Sequence, residues 1–173
     1  MDYIITALIS YLFGSIPFGY IFTKIFLKKD IRDVGSGNIG ATNVLRTGNK
    51  RLGYLTLILD ILKAVIPVIY VKLYYPDLIF ISALCAFLGH LFPVWLKFDG
   101  GKGVATFVGI LISINIYYAL IFGIIWVLTF IISKYSSLSS LIASISIPIY
   151  IFIFSEGNFI FFYHYVCINF LYT

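Results

Sequence analysis

The sequence predicts an all-α, polytopic membrane protein with seven transmembrane helices, an outside N-terminus and a cytoplasmic C-terminus. Three observations predict it. Hydrophobic residues make up 61% of the chain and charged residues only 11%, against about 25% charged in a soluble domain. A soluble fold of 173 residues could not hide that much apolar surface, and the 17 Phe and 14 Tyr suit lipid contact and the two membrane interfaces. The apolar residues also fall into runs close to the length that spans a bilayer, about 20 residues. Finally, the basic residues collect at alternate ends of those runs.

The first run covers residues 4–27 and ends at Lys28-Lys29-Asp30. Met1-Asp2 opens without a basic n-region, and no small-residue cleavage site follows, so this run reads as a retained helix. Pro17, after Gly14-Ser15, predicts a kink and a close helix approach. A polar stretch reaches to about residue 51. The second run, 53–74, contains Asp60, Lys63 and Pro67, and the third, 78–96, lies between Pro76-Asp77 and Lys97. Residues 104–133 are apolar almost throughout, long for one span and short for two. The stretch SINIYY at 113–118 is the natural place for a turn, giving spans 104–116 and 118–133. A polar patch from Lys134 to Ser140 precedes 141–155, and Ser155-Glu156-Gly157-Asn158 precedes a last run, 159–173. The chain reads as one membrane domain, 1–173.

Charge placement favours seven spans. With two spans in 104–133, Lys24, Lys28, Lys29, Arg32, Arg46, Lys50, Arg51, Lys97, Lys102 and Lys134 all sit at or near cytoplasmic positions, as the positive-inside rule requires. Only Lys63, within a helix, and Lys72, near the outer surface, do not. The net charge of +5 is therefore a membrane-topology signal and does not imply nucleic acid.

Two polar segments carry the candidate chemistry. GSGNIGATNVLR, residues 35–46, combines Gly35, Gly37 and Gly40 with Ser36, Asn38, Thr42, Asn43 and Arg46. Glycines allow successive N–H groups to face one centre, and an arginine fork matches phosphate. The segment reads as an oxyanion or phosphate site, with a plain polar linker as the alternative. KFDGGKGVAT, residues 97–106, sets Gly100, Gly101 and Gly103 around Lys102, with Thr106 in the following turn. N–H groups at a helix start plus a lysine make an anion nest; a tight turn with a snorkelling lysine is the alternative. The Walker A spacing is absent, which argues against nucleotide hydrolysis. Both segments are expected on the cytoplasmic face, which suggests a phosphorylated soluble substrate meeting an acyl-chain substrate.

Other polar residues are weaker signals. Asp60 and Lys63, three apart, could pair inside the second span. His90 could bond a ligand or a backbone carbonyl. His164, in FFYHYV, reads as packing or interfacial. Cys85 and Cys167 lie in apolar runs, and no metal-ligand spacing occurs, so neither a disulfide nor a protein-bound metal is expected. No cofactor is expected either.

These residues are specific enough to carry a family resemblance. YLFGSIPFGYI (11–21), GSGNIGATNVLR (35–46), DILKA (60–64), GHLFPVWLKFDGGKGVAT (89–106) and KYSSLSSLIA (134–143) resemble the bacterial membrane glycerol-3-phosphate acyltransferases that use acyl-phosphate as donor. The resemblance runs from about residue 8 to about residue 145. It implies a seven-span enzyme of the bacterial inner membrane with its motifs facing the cytoplasm. It also implies transfer of an acyl group from acyl-phosphate to the 1-hydroxyl of sn-glycerol 3-phosphate, giving lysophosphatidic acid and phosphate. In the family the first motif carries an essential serine and arginine, which map to Ser36 and Arg46; Asn38, Thr42 and Asn43 fit as further donors. The second motif binds the glycerol-3-phosphate phosphate, which maps to Gly100, Gly101, Lys102 and Gly103. The expected catalytic residues are therefore Ser36, Arg46 and Lys102. The expected substrate contacts are Gly35, Gly37, Asn38, Thr42, Asn43, His90, Gly100, Gly101, Gly103 and Thr106. A monomer in membrane lipid is expected, functionally coupled to the enzyme that makes acyl-phosphate.

The chain departs from the family pattern at Ala64, where glycine is common, and at its end. The family's third motif, a basic cytoplasmic segment with histidine, arginine, asparagine and glutamate, finds no counterpart, and no Lys or Arg follows Lys134. Two other readings are kept open by these features: a transporter for a small phosphorylated solute, and a catalytically inactive relative.

Overall fold

The computed structural model describes residues 2–154, and all their regular structure is helical. Helix α1, Tyr3–Gly14, is followed by α2, Phe18–Phe22, and a π-helical turn, Thr23–Leu27. Together they form one 25-residue apolar span. The break falls at Ser15–Pro17, because Pro17 has no N–H to continue the ladder. At the break the carbonyl of Ile16 accepts the Phe18 N–H at 3.2 Å and Lys63 Nζ at 2.8 Å. The span ends at Lys28, left-handed with φ 56°.

The polar stretch that follows contains more structure than its composition predicts. A 3-10 turn forms at Ile31–Asp33, and a six-residue helix, α3, at Ala41–Arg46. Helix α4, Lys50–Tyr74, starts three residues before the apolar run because Asn49 caps it, its side chain accepting from Leu52 N–H at 3.2 Å. After a 3-10 turn at Pro76–Leu78 comes α5, Ile79–Leu91, and after the second polar segment α6, Val104–Ile114. The long apolar run 104–133 is two helices. Asn115 ends the first and caps the second, α7, Ile116–Ser133, by accepting from Tyr117 N–H at 2.9 Å. This break lies inside the stretch where a turn is expected.

Helix α8, Ser136–Phe154, starts five residues before the predicted 141. The serines that made this stretch look like a separator satisfy themselves inside the helix. Ser139 and Ser140 donate back to the carbonyls of Tyr135 and Ser136, at 2.8 and 2.9 Å. Five helical spans of the described residues are long and apolar enough to cross a membrane, and Val104–Ile114 is a shorter apolar helix. The predicted last run, 159–173 with His164 and Cys167, and Glu156 before it lie outside the described residues.

The chain divides into two compact units, Met1–Ile114 and Asn115–Thr173. In the first, α1 packs on α5 and α6 packs on α4, which also touches α1, α3 and α5. The pairings are close: a Cβ on Gly14 would collide with the Ala86 backbone, and one on Gly109 with the Ile61 carbonyl. Small residues let helices approach in lipid, where no hydrophobic force drives them together. Polar groups line these seams. Ser10 and Ser82 share a hydrogen bond of 2.8 Å, and Lys72 Nζ donates to the carbonyls of Ser113 and Ile114 at the end of α6. Large apolar side chains such as Ile4, Leu8, Ile58 and Leu73 face outward instead. That inside-out distribution is what a hydrocarbon surround demands. In the second unit α7 and α8 run antiparallel, joined by Trp126 Nε1 donating to Ser140 Oγ at 3.0 Å and by the Tyr118–Tyr150 ring contact.

Candidate active site

The first motif is a loop folded around Asn43. This side chain is 2% exposed, and its Nδ2 donates to the carbonyls of Ile31, Val34 and Asn38 at 3.1, 2.8 and 2.9 Å. Its Oδ1 accepts the Ser36 N–H at 3.1 Å. Gly37 N–H goes to the Val34 carbonyl, and Gly40 N–H to Asn38 Oδ1. The loop thus spends these three N–H groups on its own shape, and they do not form the open nest that its glycines suggest. What remains outward are the exposed residues Ser36, Thr42 and Arg46. Gly35, with φ 56°, makes room for them: a Cβ there would sit 2.5 Å from Asn43 Oδ1 and 3.1 Å from Arg46 Cδ. Arg46 therefore lies across the Gly35 backbone, beside Ser36.

Next to this loop, Asp30 accepts from Arg32 twice, Nε to Oδ1 at 3.0 Å and Nη2 to Oδ2 at 2.7 Å. These side-chain bonds hold the Asp30 carboxyl down at about 2, and the carboxylate raises Arg32 in turn. The guanidinium also stacks over Tyr20, 5.2 Å from the ring centroid. Arg32 is thus occupied, whereas Arg46 and Lys102 have no ion-pair partner among the described residues.

The second motif also leaves N–H groups unbonded among the described residues, as the first does at Ala41 and Thr42. Gly101 N–H donates to the His90 carbonyl at 3.0 Å, but the N–H groups of Lys102, Gly103 and Val104 bond nothing among the described residues. They open α6, whose first intrahelical bond runs from Phe107 N–H to the Gly103 carbonyl at 2.7 Å. Gly103 has φ 77°, a turn that glycine makes without strain. Unbonded N–H groups, the positive end of a helix dipole and the exposed Lys102 are the features that suit an anion. Gly100 is walled by the carbonyls of His90 and Leu91. His90 and Thr106 lie behind the loop, 3% and 0% exposed.

One apolar cluster holds the two motifs to a common base. Ile31, Ile39 and Val44 of the first segment pack with Leu52 and with Leu96, just before the second. Asp99 of the second segment acts electrostatically on Arg32. The 92–96 stretch is pinned to α1 by Tyr11 Oη donating to the Phe92 carbonyl at 2.6 Å and Trp95 Nε1 donating to Ser15 Oγ at 2.8 Å. Neither Asn43's central position nor these pins has a sequence signature, since each joins residues set apart in the chain. Among the described residues no group of His, Cys, Asp and Glu is placed to hold a metal ion.

Residues 4–173 match the glycerol-3-phosphate acyltransferase family. The chain belongs to this family. A glycerol-3-phosphate acyltransferase of Pelagibacter ubique (strain HTCC1062) is 70% identical over 162 residues, covering 94% of this chain and 85% of that one. One from Bartonella quintana (strain Toulouse) is 51% identical over 150 residues, covering 84% and 71%. The fold matches the crystal structure of PlsY (YgiH), an integral membrane glycerol 3-phosphate acyltransferase, in its glycerol 3-phosphate form. The TM-score is 0.89 at 35% identity, over 98% of this chain and 85% of that one. As a glycerol-3-phosphate acyltransferase the chain is a multi-pass membrane enzyme, and the family match extends beyond the stretch whose motifs first pointed to it.

Proposed function

We propose that this acyltransferase moves an acyl group from acyl-phosphate to the 1-hydroxyl of sn-glycerol 3-phosphate at a site made by Ser36, Arg46 and Lys102. The observation that carries the assignment is the pairing of two unlike anion sites on one apolar base. One offers N–H groups with no partner among the described residues, and Lys102, at the start of α6. The other offers Arg46 across Gly35, beside Ser36. A substrate pair with two phosphates calls for two such sites.

The second motif takes the phosphate of glycerol 3-phosphate, with Gly100, Gly101 and Gly103 shaping the nest and Lys102 closing it. Arg46 and Ser36 take the phosphate of the acyl donor, with Thr42 as a further hydroxyl donor. Asn38, Asn43, Gly35 and Gly37 shape that loop. Acyl-phosphate is already activated, so the enzyme supplies position and charge stabilisation. The glycerol oxygen attacks the acyl carbonyl, the bond from the acyl carbon to the phosphate oxygen breaks, and the hydroxyl proton leaves with the phosphate. No acyl-enzyme is required, because the leaving group is already good.

The reading includes seven spans, the N-terminus outside, the C-terminus and both motifs at the cytoplasmic face of the inner membrane, and one domain over 1–173. The five long apolar spans, the short apolar helix α6 and the basic residues flanking alternate ends support it. The enzyme acts as a monomer and receives acyl-phosphate from the enzyme that makes it. The test is phosphate release from purified protein with palmitoyl-phosphate, with and without glycerol 3-phosphate. Release that requires glycerol 3-phosphate, yields lysophosphatidic acid and is lost in Arg46→Ala is expected. Folded protein without turnover would refute activity, and glycerol-3-phosphate flux into proteoliposomes without donor would favour transport.

A further inference from the structure

Behind the second motif lies a buried polar cluster that the transfer chemistry does not use. Asp60 and Lys63, one turn apart on α4, are each 2% exposed, and Lys63 Nζ is 2.8 Å from Asp60 Oδ1. Lys63 also holds the Ile16 carbonyl at the break between α1 and α2, at 2.8 Å. On the other side of the carboxylate, His90 Nδ1 stands 4.0 Å from the same Oδ1. The far edge of that imidazole presses on the glycine loop. A Cβ on Gly101 would strike Nε2 and come within 2.9 Å of Cε1 and 3.0 Å of Cδ2. The His90 carbonyl meanwhile takes the Gly101 N–H. His90 is thus a wedge with one edge toward a buried ion pair and the other against the backbone that precedes Lys102.

We propose that Asp60, Lys63 and His90 are positioning residues that set the glycine-rich loop in its phosphate-binding shape from behind. The inference rests on the reading that this loop binds the phosphate of glycerol 3-phosphate. The physical reason is economy of alternatives. A buried ion pair loses as much in desolvation as it gains in attraction, and apolar residues of similar volume would pack as well. Stability therefore does not explain the pair, whereas its place against the wedge does. The pair bounds the imidazole by packing, with no hydrogen bond from Nδ1, and the imidazole bounds Gly101. The two opposite charges also largely cancel at the substrate, so their removal acts through geometry.

The test compares His90→Leu, His90→Gln and the double change Asp60→Leu with Lys63→Met, which removes both charges together. Lys102→Ala is the reference. KM for glycerol 3-phosphate, KM for palmitoyl-phosphate and melting temperature in detergent are measured for each. The expected result is a rise of about tenfold in KM for glycerol 3-phosphate, about 1.4 kcal/mol of loop positioning, in His90→Leu and in the double variant. KM for palmitoyl-phosphate should stay within about twofold and melting should be retained. His90→Gln, which keeps a polar tip, should fall between and covers the case in which the larger changes do not fold. If Lys102→Ala raises KM for glycerol 3-phosphate but the folded variants behind the loop keep the parental value, the positioning role is overturned alone. An unchanged KM in Lys102→Ala overturns the loop assignment and this inference together. A parallel rise in both KM values also overturns it, because a shaping role confined to one motif does not weaken the other substrate.

Discussion

Asn43→Ala removes the group around which the first motif is folded. Its amide joins three carbonyls and one N–H, from Ile31, Val34, Asn38 and Ser36. A net hydrogen bond contributes about 1 kcal/mol, and a buried group left without a partner costs more. Two amide hydrogens cannot serve three carbonyls fully, so the four contacts amount to about 3 kcal/mol of loop order. At about 1.4 kcal/mol per tenfold, the ordered loop loses about two orders of magnitude against open forms. The long spans on either side of the segment, ending at Leu27 and starting at Lys50, do not depend on Asn43, so global melting should change little. The expected outcome is a loss of about a hundredfold in kcat/KM for phosphate release. Faster hydrogen exchange in residues 34–46 should accompany it, with exchange in α4 and α5 unchanged. Asn43→Asp keeps the acceptor for Ser36 N–H but loses both donors, and should be nearly as damaging. Activity within about threefold of the parent in Asn43→Ala, with unchanged exchange in the loop, would refute this account.

Three further outcomes follow from other contacts. Gly35→Ala should lower kcat/KM about tenfold or more at unchanged melting, because the left-handed backbone disfavours a Cβ and that Cβ would displace Asn43 and Arg46; turnover assays with thermal melts check it. Asp30 has its carboxyl held at about 2 in the folded chain against an ordinary 3.8, so its contribution is full above about 4 and is lost as pH falls toward 2. The parent's advantage over Asp30→Asn in loop protection should therefore be constant from about pH 5 to 8 and fall away only between about pH 4 and 2, as limited acid proteolysis would read. Lys72→Met strips the donor from the carbonyls of Ser113 and Ile114 and should loosen the end of α6 by about 1 kcal/mol, read as faster exchange there.

Most of what is written locally was legible. Apolar runs mark the spans because lipid rewards every exposed Ile, Leu and Phe regardless of tertiary partners. The break in the long apolar run was legible to within about two residues: SINIYY marks it, and the structure sets it at Asn115, which caps α7. The early start of α8 was not: serine counts as polar in a pattern, but in a helix its hydroxyl returns to a carbonyl three or four residues back. Helix α3 was hidden for the opposite reason. Six residues are too few to show a period, and their helix is held by Asn43 and the apolar base.

The sequence by itself determined the membrane class, the helical spans, the break in the long apolar run and the two polar segments that carry the family's motifs. These depend on composition and on contacts within a few residues. Only the tertiary structure decided where each polar residue sits and what it touches. It turned Asn43 from a candidate donor into the centre of its loop, set His90 behind Gly101 against Asp60, and joined Leu96 to Ile31, Ile39 and Val44. Among the described residues it also left the N–H groups of Lys102, Gly103 and Val104, and those of Ala41 and Thr42, without a partner while closing those of Ser36, Gly37 and Gly40. Both motifs are rich in glycine, and nothing in their composition separates them. The difference lies in which acceptors the rest of the fold brings within about 3 Å, the reach of a hydrogen bond.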